Sequence, residues 1–125
     1  MDIEKAKEFF HSIPMEELSD EIRKRTGLSD LIFNTKIIDR EYRLIIEYDS
    51  QDIVEKVGFL KLIFRELRVK AEGLVERSKS GDELVFWCTV DMDYYHPGGG
   101  HNGFPFLYAR YTDKTGWHFE EYHGI

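Results

Sequence analysis

The last 45 residues constrain this chain most. Glu83–Val90, Phe104–Thr112 and Trp117–Tyr122 are three runs rich in aromatic and β-branched residues, the types that suit a pleated, half-buried surface. Asp113-Lys-Thr-Gly116 separates the last two, and its glycine tolerates the positive φ that many turns need. This stretch holds 11 of the 18 aromatic residues and four of the five histidines. It also carries seven acids against only Arg110 and Lys114, so that −5 of the net charge of −7 lies here. An acidic, aromatic antiparallel sheet is the structure such a stretch can build.

The first 30 residues differ in period. Ile3, Ala6, Phe10 and Ile13 recur at spacings of three and four and predict a short helix. Pro14 ends it or opens a second helix from Met15 to Thr26, with Met15, Leu18 and Ile22 on its buried stripe and Gly27 as its stop. Arg23, Lys24 and Arg25 read as the basic end of that helix, with Glu16, Glu17, Asp20 and Glu21 towards its start, matching the helix dipole. Leu31–Ile38 and Glu41–Tyr48 predict a hairpin with Asp39-Arg40 as its loop.

Residues 50–78 satisfy two patterns. Ile53, Val57, Leu60, Phe64, Leu67, Ala71 and Leu74 alternate at spacings of four and three, which predicts a helix. Gly58 and Gly73 argue against it, each costing about 1 kcal/mol inside a helix. From Leu67 onward a period of two also appears. The expectation is a central helix over 51–65, packed on the sheet, then a long hairpin with arms near 67–78 and 83–94 around Lys79-Ser-Gly-Asp82.

The 125 residues, 42% hydrophobic, are enough for one α+β domain with a core of its own. The expected order is two short helices, a hairpin, a central helix and four further, mainly antiparallel strands. That order resembles the nuclear transport factor 2-like folds, which implies a curved sheet wrapped round a long helix with a conical cavity; a general α+β sandwich, with helices on one face of an antiparallel sheet, fits it equally. No apolar run approaches the ~20 residues of a membrane-spanning helix, and MDIEKAKEFF reads as charged and amphipathic rather than as a signal peptide. The single cysteine, Cys88, fits a reducing compartment, so the cytoplasm is the expected location.

Several stretches invite a chemical reading. Asp91 and Asp93 share one face of a strand, and His96, His101, His118, Glu120 and His123 follow, all residue types that bind zinc, iron or manganese. Their spacing forms no HExxH, no CxxC pair and no EF-hand, so no metal or cofactor is assigned. His96-Pro-Gly-Gly-Gly-His-Asn-Gly103 is glycine-rich but precedes a strand in an acidic neighbourhood, unlike a phosphate-binding loop. Cys88 lies mid-strand between apolar neighbours, and no GxSxG elbow occurs, so no catalytic residue is assigned.

A surplus of acids disfavours nucleic acid as a partner, because phosphate neutralisation needs Lys and Arg. The expected function is a small, acidic, non-enzymatic intracellular binding protein that engages a basic protein. Its binding surface is expected on the C-terminal sheet at Tyr94, Tyr95, Tyr111 and Trp117, with Asp91, Asp93, Glu120 and Glu121 around them. This profile resembles in type that of inhibitors and toxin-neutralising immunity proteins. The alternative is a pocket protein or small enzyme that binds a small molecule or metal beneath the loop of His96, Gly98, Gly99, Gly100 and His101. A homodimer through the sheet fits either reading.

Overall fold

The computed structural model describes residues 2–41, 43–57, 60, 63–95 and 99–122, with the backbone alone for Val57, Ile63 and His101. Helix α1 (Ile3–Ser12) starts where the Asp2 carboxylate accepts hydrogen bonds from the amides of Glu4 and Lys5. Its buried residues are Ala6, Phe9 and Phe10. Helix α2 (Met15–Thr26) follows after Pro14 and ends at Gly27, whose φ of 73° is the left-handed conformation that glycine adopts freely. Arg23 pairs with Glu16 at 2.7 Å and Asp20 at 2.9 Å, and Arg25 with Glu21 at 2.8 Å. Two of the three clustered bases thus serve the helix itself.

Seven strands form one antiparallel sheet: β1 (Phe33–Arg40), β2 (Arg43–Ser50), β3 (Ile53–Val57), β4 (Ile63–Arg77), β5 (Leu84–Tyr95), β6 (His101–Thr112) and β7 (Gly116–Glu121). The order across the sheet is β1-β2-β4-β5-β6-β7, and β3 also pairs with β4. The fifteen-residue β4 is long enough to take β2 along its second half and β3 along its first, on the same edge. Ser50 joins the two: its buried Oγ accepts a 2.9 Å bond from the Val69 amide where β2 ends. A side chain thereby satisfies a backbone donor between the two partner strands.

The predicted central helix at 51–65 is therefore a correction: the segment forms β3 and the start of β4. Ile53, Val54 and Ile63 are β-branched, and the open edge of β4 supplies hydrogen-bond partners directly after β2. Without a long central helix, the resemblance to the nuclear transport factor 2-like order loses its support. The first hairpin also moves. Arg40 pairs with Arg43, so Asp39 and Arg40 belong to β1 and the turn comes after them rather than at Asp39-Arg40. The hairpins β4–β5 and β6–β7 fall within a few residues of their expected places, with Gly81 and Gly116 at positive φ in their turns.

The helices cover one face of the sheet. Leu44, Ile46 and Tyr48 of β2, Val69, Ala71 and Val75 of β4, Phe86, Cys88 and Val90 of β5, and Leu107 and Ala109 of β6 alternate onto that face and form one buried cluster with the helices. Phe86 and Phe10 meet edge to face at 5.5 Å. Phe86 also lies over Gly73, where a Cβ would stand 2.5 Å from its ring and 2.6 Å from the Trp87 carbonyl oxygen. Between Val90 and Asp91 the β5–β6 register shifts, and Phe106 becomes an extra residue in β6. The bulge breaks the strand's alternation: Phe106 packs on the core, whereas Tyr108, two residues on, points to the other face.

Candidate functional site

The uncovered face follows from the register. One cross-strand row runs Ile38, Ile45, Leu74, Trp87, Arg110, His118 through six strands. The next runs Lys36, Glu47, Glu72, Thr89, Tyr108, Glu120. A third is Asn34, Asp49, Lys70, Asp91, Pro105. The first row places an apolar band in the middle of a charged surface, and no helix lies on it. Trp87 is 46% exposed and Tyr108 40%.

Thr89 makes a depression in this surface. It is small, and its neighbours are large: Glu72 and Tyr108 across the ladders, Trp87 and Asp91 along its own strand. The resulting groove has a volume of about 560 Å³ and includes Leu74 in its wall. Arg110 stands over the Trp87 ring at 5.4 Å, so the tryptophan ring already carries a cation.

Charge is unevenly satisfied here. Arg68 pairs with Asp49 at 2.9 Å, and Lys70 with Asp93 at 3.1 Å. Among the described residues neither Glu72 nor Asp91 forms an ion pair, and Asp91 Oδ1 is a buried oxygen with no hydrogen-bond partner. Burial, helped by the nearby Asp93 and Glu72, pushes the Asp91 carboxyl above its ordinary range, against the pull of Lys70. Asp93 is only 8% exposed and sits over Gly103, which leaves the space its carboxylate fills.

The expected surface residues divide between the faces. Asp91, Asp93, Tyr95 and Glu120 lie on the uncovered side, and Lys70 also bonds the Tyr95 hydroxyl. Tyr111 and Trp117 lie on the helix-covered side, half-buried, and the Trp117 indole donates a 3.0 Å bond to the Pro14 carbonyl. Glu121, exposed, pairs in register with the core residue Leu107. Tyr94 stacks on Phe104 at 5.9 Å beneath Arg65 at 4.1 Å, and its hydroxyl donates to the Met92 sulfur. Trp87, Tyr108, Leu74 and Glu72 take the central place that Trp117 and Tyr111 were expected to hold. Alternation along β5 from the buried Phe86 and Cys88 could have found Trp87.

Among the described residues the polar constellation does not converge. His118 and Glu120 stand on β7, with β6 between them and Asp91 on β5. Among the described residues no group of three metal-ligating side chains comes together. His96, Gly98 and His123 lie outside the described residues, as does the side chain of His101; Gly99 and Gly100 both have positive φ. Burial pushes the Cys88 thiol up to about 12, which withholds the thiolate a nucleophile needs. Among the described residues no helix is long and apolar enough to cross a membrane. No family model matches this sequence, and neither does any curated protein or solved structure compared with it.

Proposed function

We propose that this chain is a non-enzymatic protein-binding domain, of the inhibitor or immunity type, that engages a basic protein through the uncovered face of its sheet. One observation carries the reading: half-exposed Trp87 and Tyr108 flank Glu72 and Asp91, which form no ion pair among the described residues, on a face the helices leave open. Tryptophan and tyrosine give large contact area at little entropic cost, and unpaired carboxylates favour a partner of opposite charge. Two other clefts mix their charges: one of about 580 Å³, between the start of α1 and the turns at Asp82 and Asp113, sets Lys5, Arg77 and Lys114 among its acids, and one of about 550 Å³ beside Trp87 holds Arg77, Lys79 and Arg110.

Immobilised protein incubated with the basic fraction of a cell extract tests this, with Trp87→Ala/Tyr108→Ala and Trp117→Phe as paired controls. A basic protein retained in stoichiometric amount, lost with the double variant and kept with Trp117→Phe, is the expected result. Equal retention by the double variant contradicts it.

A further inference from the structure

The groove over Thr89 has the shape and charge of a receptor for one side chain. Its floor is a small residue, its walls are the rings of Trp87 and Tyr108, and its rim holds Glu72 and Asp91. Lys70, which stands opposite Asp91 in the register, sends its ammonium to Asp93 instead, at 3.1 Å. The Asp91 oxygen left behind is buried and unbonded. A carboxylate with one oxygen buried and unpartnered is costly to hold ionised, and a cation brought to its more open side lowers that cost.

We infer that this groove takes one arginine side chain of the basic partner, its guanidinium bonded to Asp91 and Glu72 and its plane against the Trp87 and Tyr108 rings. The inference rests on the protein-binding reading above and names the chemistry of the contact. Arginine fits better than lysine because its planar fork bonds two carboxylates at once while its face stacks on an aromatic ring. The chain uses the same stacking elsewhere, with Arg65 over Tyr94 at 4.1 Å, and Arg110 already lies over the groove's own Trp87 ring at 5.4 Å. A second copy of this chain is a poor occupant, since its own face would bring Glu72, Asp91 and Glu120 against the same acids.

The test is a titration of isotope-labelled protein with acetyl-Gly-Arg-Gly-amide, followed by backbone and indole N–H resonances. The matched citrulline peptide, equal in shape but uncharged, is the control. With the arginine peptide, the Trp87 indole and the amides of Thr89 and Tyr108 shift while the Trp117 indole stays. Glu72→Gln and Asp91→Asn each raise the dissociation constant by about five- to tenfold, the size expected of a half-exposed charge-assisted bond. The unshifted remainder of each variant's spectrum reports intact folding. Equal shifts with citrulline, no shift at millimolar peptide, or unchanged affinity in both variants overturns the inference. So does movement of the same resonances with protein concentration alone, which marks a second copy in the groove. If the captured protein still depends on Trp87 but not on Glu72 or Asp91, the groove assignment falls and the protein-binding face stands.

Discussion

Lys70 faces Asp91 across the β4–β5 ladder yet pairs with Asp93, 3.1 Å away and one step further along the same side of β5. The diagonal pairing stabilises the carboxylate that is buried and leaves the more open one unpaired. It is the local reason that the uncovered face carries spare negative charge beside exposed aromatic rings.

Lys70→Met removes the cation that Asp93 faces and leaves a carboxylate only 8% exposed without it. A loss of about 1–2 kcal/mol is expected, less than for a fully buried pair because Lys70 itself is partly solvated. Urea denaturation measures it. Adding Asp93→Asn should recover part of the loss, since the charge that needs a partner is then gone.

Asp91 titrates in the opposite sense from a salt-bridged carboxylate. Its folded-state pKa lies above the ordinary value of 3.8, so the folded protein holds this proton to higher pH than the unfolded chain. Ionisation therefore withdraws stability as the pH rises from 3.8 through the raised value, and protonation restores it. Asp91→Asn should be more stable than the parent at pH 7 by no more than about 1 kcal/mol. The difference should fade below about pH 3, where both states of the parent are protonated. Thermal unfolding of the pair across this range provides the check.

Gly73 makes a second quantitative case. A Cβ there would stand 2.5 Å from the Phe86 ring and 2.6 Å from a backbone oxygen that cannot move freely. Gly73→Ala should cost about 2–3 kcal/mol, the range for overfilling a packed core, although alanine ordinarily favours an extended segment over glycine. Combining it with Phe86→Leu relieves the ring contact, and the two losses should sum to more than the double variant shows. Denaturation midpoints of the three variants decide this.

Much of the fold was legible. The 3.6-residue period and its stops marked both helices, because Gly27 and Pro14 end or begin helices for local reasons. The middle segment misled because a spacing of four is even and suits a strand face as well as a helix. Leu67 and Ala71 share the buried face in this way. Only the spacings of three discriminate, and they fail as helix signals: Phe64 and Leu67 fall on opposite faces, one 49% exposed and the other buried. The candidate site was half legible. Its acids and aromatics were placed on the C-terminal sheet, but which aromatics face outward depends on where the helices dock and on the bulge at Phe106. Trp117 looked like a surface residue until Pro14 supplied its hydrogen-bond partner across the fold.

The central claim is that the partner sits on the uncovered face over Thr89. Hydroxyl-radical footprinting of the chain, alone and with the basic protein it retains, reads this directly, because Trp87 and Tyr108 are 46% and 40% exposed. Strong protection of both rings in the complex, with Phe64 and Trp117 unchanged, is the predicted result. Unaltered oxidation of Trp87 and Tyr108, with protection moved to the helices or to Phe64, would contradict the account.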